Sequence, residues 1–180
     1  MRVLVLGACG SGKTTLARQL AHRLGVAHVE LDALHHGPAW TPRPEFAGEV
    51  DAATRAPAWV VDGNYRAVRD LLWSRAEALV WLDLPLAVIE ARVVRRSLLR
   101  WLRGEVLWNG NRERGPRAWI DREHPVRWAW SHHGTYRREY PPRLREPRFA
   151  HLRVVRLRSR EMVAAFGAAP ELWLASPRDR

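Results

Sequence analysis

The sequence contains one cysteine, Cys9, and no long apolar run. A single cysteine excludes an intrachain disulfide and argues against a zinc site built from cysteines. No stretch approaches the roughly 18 consecutive apolar residues of a membrane-spanning helix. The apolar start, residues 2–7, runs straight into glycines, which is typical of a buried strand and not of a signal peptide. These absences predict a globular, cytoplasmic chain with no membrane partner.

Lysine is almost absent as well. Lys13 is the only lysine, and the other 29 of the 30 basic residues are arginine, as expected for a GC-rich coding sequence. The net charge is +11, and most of the excess lies in residues 95–148, where 14 arginines face 6 acidic residues. A basic segment of this kind suits polyphosphates or nucleic acid. The one retained lysine indicates a position where an ammonium group is needed.

Apolar runs alternate with amphipathic segments along most of the chain, which predicts a parallel sheet with helices on both faces. The predicted strands are residues 2–8, 26–32, 59–64, 78–85 and 151–157. The predicted helices are residues 13–24, 45–55, 67–76, 86–103 and 160–168.

The lid segment, residues 104–150, carries several prolines and glycines and is too long for a plain connection. We expect it to be irregular and to act either as a lid or as a loosely ordered insertion. The chain of 180 residues predicts one domain over residues 1–170, with a frayed tail at 171–180.

A glycine-rich stretch between the first strand and the first helix fits the pattern G-x-x-x-x-G-K-[ST]. Glycines allow several backbone N–H groups to point into one concavity, and the helix N-terminus adds a positive dipole. A lysine has a compact ammonium group on a flexible side chain and can reach the β- and γ-phosphates inside this narrow loop. The planar guanidinium group of arginine is too broad to enter the loop in the same way. A threonine hydroxyl is offered to Mg²⁺. The predicted ATP-binding residues are Gly7, Ala8, Cys9, Gly10, Ser11, Gly12, Lys13, Thr14 and Thr15.

This stretch resembles the Walker A loop of P-loop NTPases. Three further motifs resemble adenylate-kinase-like nucleoside and nucleotide kinases, above all the subgroup labelled topology modulation proteins: LDALHHGPAW, WVVDGNYR and LWNGNRERG. The likeness covers about residues 1–170. It implies a three-layer α/β/α sandwich with a five-stranded parallel sheet in the order 2-3-1-4-5, ATP and Mg²⁺ as cofactors, and transfer of a phosphoryl group to a small-molecule acceptor.

The resemblance also implies roles for residues near the strand ends. Asp32 would orient the acceptor hydroxyl or a Mg²⁺-bound water and act in catalysis, although an acid there can also be a loop or cap residue. Asp62 would be the Walker B acid at the metal, unless it only forms an Asp-Gly turn. Gly63 would allow close approach of the acceptor, and Arg66 would bind it. Trp40 is placed to contact the same acceptor.

One departure from the family pattern bears on the acceptor. Asn64-Tyr65 stands where the adenylate-kinase-like kinases have Phe-Pro, which argues against a nucleoside monophosphate.

Arginines are expected to neutralise phosphate charge during transfer. Arg92 and Arg96 share a face of the helix at residues 86–103, and the resemblance assigns them to the ATP phosphates as catalytic residues. A solvated helix face is the alternative. Arg112 and Arg114 would reach the nucleotide from the lid segment as it closes.

The aromatic content of the lid segment permits two interpretations. Five of the ten tryptophans lie at or next to it, and we expect them to pack the lid onto the core. Interleaved with arginine, they could instead stack on single-stranded nucleic acid. The favoured function is therefore an ATP-dependent small-molecule kinase, with ATP and an acceptor as its partners. A nucleic-acid-associated NTPase or DNA-binding protein, and a nucleotide-binding protein without transfer chemistry, stay open, as do a monomer and a homodimer.

Overall fold

The five apolar runs form one parallel sheet in the order β2-β3-β1-β4-β5, which confirms the predicted topology. The fold is taken from a computed structural model, and the structure describes residues 1–175. The strands are β1 (Arg2–Gly7), β2 (Ala27–Glu30), β3 (Trp59–Asp62), β4 (Ala78–Leu82) and β5 (Arg153–Leu157).

The central strands are buried on both faces. β3 and β4 are buried throughout, and β1 is buried from its second residue onward, which explains their continuous runs of valine and leucine. The register places Val5 beside Asp62 and Gly7 beside Leu82. The residues that follow β1, β3 and β4 therefore meet at one edge of the sheet, where ligands bind in open α/β sheets.

Helices cover both faces of the sheet. They are α1 (Lys13–Leu24), α2 (Leu31–His35), α3 (Phe46–Ala53), α4 (Arg66–Arg75), α5 (Leu86–Arg103), α6 (Pro125–Leu144), α7 (Arg160–Ala168) and α8 (Pro170–Ala175). Leu16, Leu20 and Phe166 pack on one face of the sheet. Trp73 and Tyr140 belong to the core on the other face. None of the helices within residues 1–175 is long and apolar enough to cross a membrane.

Helix α6 corrects the expectation that the lid segment is irregular. It begins with a proline at its first turn, a position that suits proline. Ala129, Tyr136 and Tyr140 recur at helical spacing and are buried against the core. Pro141 and Pro142 lie in the last turn, so they disrupt few of the helical hydrogen bonds. In the sequence alone, however, two adjacent prolines argue against a helix.

A buried carboxylate fastens α6 to the sheet. Asp83, which follows β4 and is 5% exposed, accepts hydrogen bonds from Arg137 on α6 at 2.7 Å and from Arg156 on β5 at 2.6 Å. Its two oxygens are engaged by these two arginines. Asp83 is therefore occupied in holding the elements together.

The predicted tail begins inside a helix. Residues 170–175 form α8, in which Pro170 and Leu174 are buried. Arg23 donates to the Ala168 carbonyl at 2.6 Å and to Glu171 at 2.9 Å, which ties the end of α7 and the start of α8 to α1. The domain therefore extends at least to residue 175, and the rest of the predicted tail lies outside the described residues.

Candidate active site

The loop between β1 and α1 is tightly wound and closely packed. The Ser11 N–H donates to the Ala8 carbonyl at 3.0 Å, and Gly10 and Gly12 have φ of +84° and +94°. A Cβ on Gly10 would lie 2.3 Å from a methyl group of Val93 on α5. Glycine is therefore required at position 10 for both conformation and space.

Asn64 closes the loop from the neighbouring strand. Its side-chain oxygen accepts from the Gly7 N–H at 3.2 Å, and its side-chain nitrogen donates to the Gly7 carbonyl at 2.5 Å. The start of the loop is thus tied to the residues that follow β3. Sequence reasoning treated Asn64 only as a departure from a family pattern and missed this contact.

Lys13, the first residue of α1, is a half-buried cation facing negative charge. Burial on its own would lower the pKa of Lys13, but nearby negative charge, chiefly that of Asp32 and also that of Asp62, raises this pKa above its ordinary value. The ammonium group is therefore fully charged at neutral pH and available to a phosphate.

Thr14 and Asp62 are brought together from α1 and β3. The Thr14 hydroxyl donates to one oxygen of Asp62 at 2.6 Å, and the other oxygen lies 2.8 Å from Nε2 of His28 on β2. Asp62 is 1% exposed. Sequence reasoning overlooked His28, which the alternation of side chains along β2 places on the face of the sheet that bears α1.

The donor set at Asp62 fits magnesium. Mg²⁺ prefers oxygen ligands and is held by one or two carboxylates together with substrate phosphates and water. The Thr14 hydroxyl and the Asp62 carboxylate supply that minimum beside the loop. Within residues 1–175 no group of three or more His, Cys, Asp or Glu side chains could hold a metal by itself. A bound Mg²⁺ would accordingly depend on the nucleotide for its remaining ligands.

Asp32, on α2 directly after β2, is oriented by aromatic neighbours. The Tyr65 hydroxyl donates to Asp32 at 2.7 Å and lies 3.2 Å from Nε2 of His36. Burial and the charge of Asp32 raise the pKa of Tyr65, so it remains a protonated donor. One oxygen of the carboxylate is held in place by this phenol.

Two turns of the same backbone conformation stand beside this carboxylate, at residues 36–42 and 106–112. Each is closed by an antiparallel bridge between its first and last residues, and each has a 2.7 Å hydrogen bond from its second N–H to its sixth carbonyl. Ala39 and Asn109 occupy the same place in the two turns, both with φ of 54°. The two segments share no residue at any matching position, so the sequence carries no sign of the relationship.

Asn111 joins the two turns. Its side chain donates to the Gly37 carbonyl at 2.9 Å and accepts from the Trp40 N–H at 3.0 Å. The rings of His36, Trp40 and Trp108 form an aromatic wall with centroids 5.2 to 6.2 Å apart. The wall is therefore built from both turns.

Two arginines on the same face of α5 contact the glycine-rich loop. Arg92 donates to the Ser11 carbonyl at 3.1 Å, and Arg96 donates to the Cys9 sulfur at 2.9 Å. The structure thereby rules out a purely solvated face for this part of α5. Both guanidinium groups are close to where the sequence places the phosphates.

Other predicted ligand residues make different contacts. Arg112 donates to the Gly104 carbonyl at 2.6 Å, and Arg114 pairs with Asp121 at 2.8 Å, so both brace the lid segment itself. Arg66 forms an ion pair with Glu139 on α6. In each case part of the guanidinium bonds a carbonyl or carboxylate of the protein, and the ligand roles of these three residues stay predictions.

Gly63 is needed for packing. Its φ is +139°, and a Cβ there would lie 2.7 Å from the Leu31 side chain at the start of α2. The structure therefore gives this glycine a packing role, and the close approach of an acceptor stays a prediction.

The tryptophans of the lid segment do not all pack onto the core. Trp128 and Trp130 on α6 are 40% and 67% exposed, and Trp101 on α5 is 44% exposed. Only Trp108 and Trp119 are half-buried. The expectation that the basic segment hides its aromatic rings is wrong for three of the five.

No family model and no curated protein matches the sequence. Among solved structures, the chain is similar to a gluconokinase from Sinorhizobium meliloti 1021, with 20% identity, a TM-score of 0.55, and coverage of 96% of this chain and 90% of that one. It is also similar to a shikimate kinase from Acinetobacter baumannii in complex with shikimate, with 14% identity, a TM-score of 0.54, and coverage of 99% and 94%. The chain therefore has the α/β fold with a five-stranded parallel sheet that these P-loop kinases share.

Proposed function

We propose that the protein is an ATP-dependent kinase that transfers the γ-phosphoryl group to a hydroxyl of a small molecule. One observation carries the proposal. Lys13 is followed by Thr14, whose hydroxyl donates to Asp62 at 2.6 Å, and it lies in the field of Asp32, so a phosphate-binding cation and two carboxylates share one site. The likeness to two small-molecule kinases supports the same class of reaction.

The nucleotide side is formed by residues 7–15 and α5. Backbone N–H groups of the loop and the Lys13 ammonium would bind the triphosphate. Arg92 and Arg96 would stabilise the charge on the transferring group. Magnesium, when bound, neutralises and orients the phosphates, and Thr14 and Asp62 would hold it.

The acceptor side is formed by Asp32, Tyr65 and the aromatic wall. Asp32 accepts the proton of the acceptor hydroxyl while the acceptor oxygen forms a bond to the γ-phosphorus. The bond between that phosphorus and the oxygen bridging to the β-phosphate breaks, and its electron pair leaves with ADP. Tyr65 holds the second oxygen of Asp32 in place. Trp40 lines the pocket.

A coupled assay of ADP formation over a panel of hydroxyl compounds tests the proposal. Lys13→Ala should lower kcat/KM by about two orders of magnitude, since it removes a charge from the transition state. Asp32→Asn should lower kcat by a similar factor and leave ATP affinity unchanged. Arg18→Ala, at an exposed position on α1, is the control. Slow hydrolysis that no acceptor accelerates and that Asp32→Asn does not alter would refute the assignment.

A nucleic-acid-associated NTPase is the second candidate, because Trp101, Trp128 and Trp130 are exposed within a basic segment. Base stacking on exposed aromatic rings and phosphate contacts by arginine are the usual means of binding single strands. Retention of a labelled oligonucleotide at about 150 mM salt, lost in Trp128→Ala and Trp130→Ala, would support it. Binding that disappears at that salt concentration would reflect net charge alone.

A further inference from the structure

Arginines near the acceptor side of the site are already paired with glutamates. Arg43, next to the 36–42 turn, forms two hydrogen bonds with Glu49 at 2.9 and 2.5 Å. Arg66 and Arg69, in the first turn of α4 after Tyr65, both contact Glu139 on α6. Each of these three guanidinium groups is thus already engaged by a glutamate, one-to-one for Arg43, whereas Arg66 and Arg69 share a single carboxylate.

The two histidines of the pocket add no positive charge. Burial lowers the pKa of His35 and of His36 from the ordinary value, so both are neutral near pH 7. Among the described residues, the Nδ1 atom of His35 is buried without a hydrogen-bond partner. This atom retains hydrogen-bonding capacity for a hydroxyl, which can donate or accept.

Carboxylates further disfavour an anionic acceptor. Glu30, at the end of β2, lies beside Asp62 of β3 in the register of the sheet, and Asp32 follows two residues later, so three carboxylates are grouped here. Lys13, Arg92 and Arg96 oppose this field from the loop side, where the proposed function already engages them with ATP. A carboxylate or phosphate arriving at Asp32 would meet like charge, and it would have to compete with Glu49 or Glu139 for the three arginines.

The walls of the pocket favour a ring with an apolar face. In the aromatic wall the rings of His36 and Trp108 lie within 26° of parallel, and Trp40 is edge-on to both. Tyr65 packs edge-on against Phe46 with centroids 5.1 Å apart. Flat aromatic faces bind the C–H face of a sugar or the plane of a base without any charge on the ligand.

We propose that the acceptor is an uncharged ring compound bearing several hydroxyl groups, in which a ring face lies on the His36–Trp40–Trp108 wall and one hydroxyl meets Asp32. This inference rests on the proposed kinase function and narrows it, because it excludes sugar acids, sugar phosphates and nucleotides as preferred acceptors.

Matched pairs of acceptors test the inference with the full chain. Suitable pairs are glucose and glucuronate, ribose and ribose 5-phosphate, and each nucleoside with its monophosphate. The expected result is a kcat/KM at least about tenfold higher for the uncharged member of every pair that is phosphorylated. Preference for the charged member would overturn the inference and leave the kinase assignment intact. Absence of transfer to every member would overturn both.

Glu139→Gln tests the role of the paired arginines. Loss of this carboxylate frees Arg66 and Arg69, so kcat/KM for the charged member of an accepted pair should rise by about tenfold relative to the uncharged member. Glu146→Gln is the matched control, because Glu146 also pairs with an arginine, Arg148, at 2.7 Å on the surface. An unchanged ratio in Glu139→Gln, or an equal change in both variants, would show that the paired arginines do not set acceptor charge.

Discussion

Substitution of Gly10 by alanine should destabilise the protein more than any other single glycine change in the loop, for two separable reasons. Gly10 has φ of +84°, where an L-residue with a Cβ is strained. The new Cβ would also lie 2.3 Å from a methyl group of Val93 and 2.9 Å from the Ile89 carbonyl, both on α5. The loop and the helix that carries Arg92 would have to move apart.

Two control glycines allow the loss of stability in Gly10→Ala to be divided into a conformational part and a packing part. Gly25 has φ of +65°, and nothing lies within 4 Å of the position that a Cβ would take there, so Gly25→Ala reports conformation alone, a loss of about 1 kcal/mol. Gly48 lies in α3 with open space around it, and Gly48→Ala should stabilise by about 0.5–1 kcal/mol. Overpacking adds about 1–3 kcal/mol at Gly10, which gives a total loss of about 2–4 kcal/mol.

Urea unfolding of the three variants measures these differences in stability. Equilibrium binding of an ATP analogue reports whether the loop keeps the conformation that binds phosphate. We expect stability to decrease in the order Gly48→Ala, wild type, Gly25→Ala, Gly10→Ala, with nucleotide affinity reduced only in the last. Equal stabilities of Gly25→Ala and Gly10→Ala would refute the close packing of the loop against α5.

Three further predictions concern buried polar groups. Asp83→Asn should cost about 2 kcal/mol in urea unfolding because both arginine partners lose their counter-charge, whereas Asp121→Asn, which breaks an exposed pair, should cost less than about 1 kcal/mol. Asn111→Ala should lower the free energy of unfolding by about 2–3 kcal/mol, since it leaves the Gly37 carbonyl and the Trp40 N–H unpaired. It should also raise KM for the acceptor. An unchanged KM would contradict the proposal that the two turns form the acceptor side of the site. The pKa values of the histidines at positions 35 and 36 are lowered in the folded chain, so the unfolded chain binds protons that the folded chain does not. The free energy of unfolding should therefore fall as pH drops below 6.5. Its slope against pH should be smaller when both histidines are replaced by asparagine.

The sheet and most helices could be predicted because local signals agree with the tertiary structure. The predicted bounds of α1 and α5 coincide with the observed ones, since Gly25 and Gly104 end them in the left-handed conformation. Helix α6 was hidden by Pro141 and Pro142, although its apolar positions recur at helical spacing.

The site was predictable only where one short motif carries the chemistry. The loop, Thr14 and Asp62 follow from such motifs, and the structure brings them together. The contacts of His28 and Asn64 depend on strand register and on the path of the chain after β3. No pattern within one segment encodes a partner more than 30 residues away.

The hydrogen bonds of Asn111 have a consequence for access to the pocket. One amide bridges residues 36–42 and 106–112, and Asn109 adds a bond to the His36 carbonyl. Neither segment can move outward alone without breaking hydrogen bonds of Asn111, so under the proposed kinase function we expect entry of the acceptor and exposure of the γ-phosphate to water to occur together. ATP consumption without an acceptor would then report the opening frequency of both segments together.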